Sequence, residues 1–183
     1  KDILGFPLTH TNNGWLNLAG SYEYVLVQDN DTLDFGTGDF TIEFWIKLDD
    51  TTGSQYILDK RDGEPHIRIY FDNSANIYCN VDDNVSSAVT VSVGSITAGT
   101  WFHVAYVNDG GTLRTYKDSV DGSTADITGL VTLTNAHNLY IGTNKNLSSS
   151  SVRGQLDEIR IYTKALSVAE VLKNYKHGLS KHS

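Results

Sequence analysis

Apolar and polar residues alternate along most of this chain, with short turn-forming clusters between the alternating stretches. In Phe40-Thr41-Ile42-Glu43-Phe44-Trp45-Ile46-Lys47 one set is Phe40, Ile42, Phe44 and Ile46, and the other is Thr41, Glu43, Trp45 and Lys47. A period of two marks a strand with one buried face. The first set reads as core. Trp45 falls among polar residues, so it lines either the inner face of a curved sheet or an exposed platform. Phe102, Val104 and Tyr106 split from Trp101, His103, Ala105 and Val107 in the same way. The pattern predicts further strands over Trp15–Leu18, Tyr24–Val27, Gln55–Asp59, His66–Phe71, Ile77–Val81, Val89–Val93, Leu113–Lys117, Asn138–Gly142 and Gln155–Tyr162. Clusters such as Asp62-Gly63, Asp72-Asn73-Ser74 and Asp109-Gly110-Gly111 separate them, and these residues bond their own backbone or tolerate positive φ. Many short strands punctuated in this way predict a sandwich or a barrel.

The period changes only near the end. Gly154–Tyr162 reads as a closing strand, and Ser167-Val168-Ala169-Glu170 is a capping box in which each side chain can satisfy the other residue's amide. Val168, Val171, Leu172 and Tyr175 then share one helical face, and Gly178 suits a helix C-terminus.

Composition narrows the class. The 183 residues suit a single domain over 1–183, and 16 Gly, 2 Pro and 10 Tyr agree with an antiparallel β-protein. A net charge of −8 repels phosphate backbones, so nucleic acid is not expected as a partner. The single cysteine, Cys79, excludes an intramolecular disulfide and reads as a buried small residue beside an apolar strand face. No apolar run approaches the length of a membrane span, so membrane insertion is not expected.

The ordered set Gly20–Val25, Asp39–Lys47, Gly99–Val107, Leu139–Thr143 and Gly154–Glu170 resembles the laminin G-like domains of the concanavalin A-like lectin/glucanase superfamily. The resemblance runs from about Asn17 to Tyr175. It implies an all-β jelly-roll sandwich of two curved antiparallel sheets with one short C-terminal helix. It further implies a non-catalytic module that binds a glycan or another cell-surface ligand within a larger multidomain or multimeric assembly. Such a module is extracellular, cell-surface or virion-associated. One departure stands out: the Asp-Gly of the usual tight hairpin comes later here, at Asp121-Gly122, which predicts a longer or shifted hairpin.

The resemblance also implies a structural calcium ion. Calcium takes six to eight oxygens from carboxylates and carbonyls. Asp157 matches the aspartate that opens the last long strand in relatives, and Gly20 and Ser21 are the nearest match for carbonyl donors. The alternative is an Asp157 that bonds backbone amides at a strand end without metal. The superfamily also holds glycosidases, which need two carboxylates flanking one bond. Glu43 stands alone on its strand, and the adjacent Asp157 and Glu158 are expected to point to opposite faces. No enzyme activity is expected. His103 reads as a hydrogen-bonded structural histidine.

Sugar binding needs an aromatic platform beside planar polar groups. Candidate platforms are Trp45, Tyr56, Tyr70, Tyr78 and Trp101, and candidate polar partners are Arg68, Asn80, Asp59, Arg61 and Asn144. Arg68 and Tyr70 share one strand face, as do Tyr78 and Asn80, so pairing of their strands would join them into one patch. A carbohydrate-binding module with structural calcium is therefore expected. The alternative is a structural, adhesion or protein-interaction module without a glycan site, and a glycoside hydrolase ranks below both.

Overall fold

In a computed structural model, residues 14–20, 23–63, 65–147 and 150–182 are described. Alternating apolar residues build two six-stranded sheets that close face to face as a jelly-roll sandwich. Sheet A runs in the order β1 (Leu16–Ala19), β12 (Arg153–Tyr162), β3 (Phe40–Leu48), β8 (Phe102–Asp109), β9 (Thr112–Lys117) and β10 (Val120–Asp126). Sheet B runs β2 (Val25–Val27), β11 (Leu139–Ile141), β4 (Gln55–Lys60), β5 (His66–Phe71), β6 (Asn76–Asp82) and β7 (Val89–Ser95). The ladders within both sheets are antiparallel. Phe40, Ile42, Phe44 and Ile46 of β3 meet Ile67, Ile69 and Phe71 of β5 in one core. Each such side chain contributes about 1.5–3 kcal/mol by leaving water. Cys79 lies in this core, and burial pushes its thiol above the ordinary value, so it is unreactive.

The two ends of the domain meet. Leu16 pairs with Leu156 and Ala19 with Arg153. On its other side β12 lies close against β3 at Gly154: its φ is +149°, and a Cβ there would sit 2.2 Å from the Lys47 carbonyl oxygen. Only glycine lets the β12 backbone approach so closely.

Helix α1 (Val168–His182) covers the outer face of sheet A. The capping box forms: Ser167 N donates to Glu170 Oε2 at 2.8 Å and Glu170 N donates to Ser167 Oγ at 3.3 Å. Val171 is buried as the apolar face requires, but Val168 is 58% exposed because it stands in the first turn, off the sheet. Gly178 does not end the helix. It lies inside it, at the point where α1 crosses closest to the Trp45 indole.

Two local expectations change. Asp118 and Ser119 both take positive φ, at 51° and 64°, and close a two-residue hairpin between Lys117 and Val120. That is the primed turn geometry suited to twisted strands. The later Asp121-Gly122 is absorbed in a bulge of β10, so the hairpin is tight rather than long. The strand β10 itself lacks the alternating pattern, being a largely exposed edge.

Candidate functional site

Parity places the polar residues of β4, β5 and β6 on the outer face of sheet B, since Ile67, Ile69, Phe71, Ile77, Cys79 and Val81 take the inner one. Register then aligns them in two rows. Tyr56 lies opposite Tyr70, Tyr70 opposite Tyr78, and Tyr78 opposite Ser92. In the neighbouring row Tyr140 faces Asp59, Asp59 faces Arg68, Arg68 faces Asn80, and Asn80 faces Thr90.

The tyrosines form a ladder. The Tyr56 and Tyr70 ring centroids are 5.8 Å apart, and Tyr70 stacks on Tyr78 at 5.5 Å. All three rings are partly exposed. Burial pushes the Tyr70 and Tyr78 hydroxyls above their ordinary value, so both are neutral phenols at physiological pH. The Arg68 guanidinium lies 5.4 Å from the Tyr70 ring centroid. Its Nε donates to Asn80 Oδ1 at 2.8 Å, which also lies 2.7 Å from His66 Nε2. Asn80 Nδ2 donates to Thr90 Oγ1 at 2.9 Å. The four expected residues Arg68, Tyr70, Tyr78 and Asn80 therefore meet in one patch.

Asp59 is buried beneath the same row. Its Oδ2 accepts from the Lys145 amide at 3.3 Å, Arg61 Nε stands 3.6 Å from Oδ1, and burial raises its pKa. Next to it opens a polar cleft of about 400 Å³ lined by Arg61, Asp62, His137, Asn138, Tyr140 and Lys145. Sequence reasoning missed Tyr140 and Lys145. The parity of Leu139-Tyr140-Ile141 was readable, but the place of β11 beside β4 was not.

Trp45 does not join this patch. It lies on sheet A, 1% exposed beneath α1, stacked on Tyr175 at 5.6 Å and 4.5 Å from the His182 ring. The face that looked polar in sequence is a second interior, because a helix covers it. Trp101 packs nearby, 4.3 Å from His182 and 5.7 Å from Trp15.

The carboxylates of sheet A are engaged by α1. Glu43 is fully buried, and its Oε1 accepts from Asn174 Nδ2 at 2.8 Å, Arg160 Nη1 at 3.2 Å and the Tyr162 hydroxyl at 3.2 Å. His103 Nε2 stands 3.6 Å from Glu43 Oε2 without a hydrogen bond, so its ring is held by packing on Trp45 and Tyr175. Asp157 and Glu158 do not point to opposite faces. Glu158 takes a positive φ of 49° in a bulge of β12, and both side chains reach the helix. Glu158 accepts from Lys181 at 2.7 Å and Arg160 at 2.8 Å. Asp157 Oδ1 accepts the Glu158 amide at 2.7 Å, and Oδ2 stands 3.1 Å from His182 Nε2. Burial lowers the His182 pKa more than Asp157 raises it.

Of the expected calcium donors, Gly20 and Asp157 lie apart along the sheet. Ala19, beside Gly20, lies opposite Arg153. Arg153 is four positions from Asp157 along β12, about 13 Å at the rise of an extended strand. Ser21 lies outside the described residues. Among the described residues no group of three His, Cys, Asp or Glu could hold a metal ion.

A laminin G-like family model, described as the concanavalin A-like lectin/glucanases superfamily, matches residues 19–172. No curated protein sequence matches. Among solved structures, the chain is similar to the binding domain of Paraclostridial Mosquitocidal Protein 1, with a TM-score of 0.74 and 19% identity over 89% of this chain and 43% of that one. The Botulinum neurotoxin serotype D binding domain matches with a TM-score of 0.74 and 18% identity, over 88% of this chain and 42% of that one. The serotype G binding domain matches with a TM-score of 0.73 and 13% identity, over 86% and 41%. The chain spans less than half the length of these structures, and at such identity the likeness is one of fold.

Proposed function

This chain belongs to the concanavalin A-like lectin/glucanases superfamily, and we propose that within it the domain is a non-catalytic carbohydrate-binding module whose ligand lies on the outer face of sheet B. The observation that carries this reading is the Tyr56–Tyr70–Tyr78 ladder beside the Arg68–Asn80 network. Tyrosine rings offer apolar faces to sugar C–H groups at little conformational cost, and hydrogen-bonded Arg and Asn offer fixed polar groups to hydroxyls. The Glu43, Asp157 and Glu158 carboxylates are tied up beneath α1, which supports binding rather than hydrolysis.

Binding through one shallow face is weak, so the domain works best in several copies or beside other domains. Its structural neighbours are binding domains that extend beyond the matched region, which supports a place in a larger extracellular, cell-surface or virion-associated assembly. Among the described residues no helix is long and apolar enough to cross a membrane. The net charge of −8 disfavours nucleic acid.

A glycan array probed with the wild-type domain, and with Tyr78→Ala, tests the reading. The wild type is expected to bind, and Tyr78→Ala to bind about tenfold more weakly, as removal of an aromatic anchor does. Tyr78 is partly exposed, so the variant should still fold. A blank array with folded wild-type protein would favour the second reading, a protein-interaction or adhesion module. Clustered tyrosine and arginine support that reading too, since they are the common anchors of protein interfaces.

Structural calcium is a separate part of this proposal. Thermal melting with calcium and with EDTA tests it. A midpoint several degrees higher with calcium supports such a site by mass action, and equal midpoints remove calcium from the reading.

A further inference from the structure

Resting on the carbohydrate reading of sheet B, we propose that the bound sugar is acidic and that Arg68 reads its carboxylate. Arg68 is the pivot of the patch. Its Nε is committed to Asn80 Oδ1 at 2.8 Å, and its guanidinium lies 5.4 Å from the Tyr70 centroid. Among the described residues its two terminal nitrogens make no hydrogen bond or salt bridge, and the Asp59 carboxylate opposite acts on its charge without pairing with it. They belong to a partly exposed side chain on an open sheet face.

This arrangement suits a carboxylate for three reasons. The Nε contact and the stacking on Tyr70 fix the plane of the guanidinium before a ligand arrives, so little rotamer freedom remains to be lost. The free edge presents two parallel N–H donors, the fork that a carboxylate accepts with both oxygens. The Tyr70–Tyr78 stack lies in the adjoining row, where the ring of the same sugar residue would rest.

The surrounding charges do not cancel the site. Arg61, Arg68 and Lys145 stand with the carboxylates of Asp59 and Asp62 on one side, and the Asp72 carboxylate stands by Tyr70 and Tyr78 on the other. Lys145 pairs directly with Asp62. Asp59, opposite Arg68 in register, is buried, stands 3.6 Å from Arg61 Nε, and has its ionisation disfavoured by burial. With Lys145 held by Asp62 and Asp59 beside Arg61, the positive charge that an arriving carboxylate meets is that of Arg68 itself.

The experiment uses two matched pairs of ligands: sialyllactose against lactose, and an oligogalacturonate against the neutral galactose oligomer. Binding is measured by calorimetry on the wild-type chain, Arg68→Gln, Arg68→Lys and Tyr78→Ala. At least one acidic ligand is expected to bind ten or more times tighter than its neutral partner. The pair that shows the gap identifies the source of the carboxylate, a sialic or a uronic acid. Arg68→Gln should erase the gap and Arg68→Lys should restore part of it. Tyr78→Ala should weaken both members alike and leave the gap intact, and rising salt should narrow it. Equal binding of acidic and neutral members by the wild type would overturn the proposal while leaving the carbohydrate reading in place. So would an Arg68→Gln loss shared equally by both members, which is the mark of a merely structural arginine. No binding of any saccharide would overturn both.

Discussion

Replacing Gly178 by alanine is expected to destabilise the domain by about 1–3 kcal/mol, the usual cost of forcing an atom into a packed interior. In a free helix the same change would stabilise by about 1 kcal/mol, because glycine is a poor helix former. The sign therefore reports the packing. A Cβ at this position would sit 2.2 Å from Trp45 Nε1 and 2.7 Å from Cε2. Trp45 has no room to retreat, since it is enclosed by Tyr175, His182 and His103 and is 1% exposed. The helix must move outward instead, loosening the ion pair of Glu158 with Lys181 and the contact of His182 with Asp157. Thermal melting should show a midpoint several degrees lower. Tryptophan emission should shift to the red as water reaches Trp45. A higher midpoint would mean that α1 does not rest on the indole.

Glu43→Ala should cost more, about 3–5 kcal/mol, the range for removing one partner of a buried ionic cluster. Three donors lose their common acceptor: Asn174 Nδ2, Arg160 Nη1 and the Tyr162 hydroxyl. Arg160 keeps Glu158 and some solvent, which limits the loss on its side. Asn174 and His103 lie between the sheet and the helix with less access to water. Glu43→Gln keeps a carbonyl oxygen for Asn174 and should cost clearly less than the alanine variant. Urea denaturation of both variants measures the difference. A loss under about 1 kcal/mol for Glu43→Ala would mean that the cluster contributes little and that α1 is held by its apolar contacts alone.

Both predictions concern a layer that was invisible in the sequence. Thr41, Glu43 and Trp45 read as the polar side of a two-faced strand, yet all three are buried. Parity was right; the two readings of Trp45, the inner face of a curved sheet or an exposed platform, did not include a helix laid over that face. The reading of Gly178 as a stop signal failed for the same reason, because a glycine placed for close approach looks identical in sequence to one placed for a turn. Glu158 shows the limit of alternation itself: one residue at positive φ turned its side chain to the face of Asp157. By contrast, the capping box Ser167–Glu170 formed as read, since all its partners lie within three residues.

The proposed binding face was half legible. Arg68 with Tyr70, and Tyr78 with Asn80, share faces by spacing alone. Their union depended on β5 pairing with β6 in the register Arg68 to Asn80. Asp59 joined the row where β4 pairs with β5, and Tyr140 only through β11, which is far from β4 in sequence.

By itself the sequence determined which residues share a face on most strands, where most strands begin and end, and how the last helix starts. These depend on backbone geometry and on side chains a few residues apart. Only the tertiary structure decided which strands are neighbours, which sheet face a helix covers, and where α1 holds the carboxylates. Those outcomes rest on contacts between distant segments, such as Asn174 with Glu43 across 131 residues, and on close packing that one-dimensional spacing does not encode.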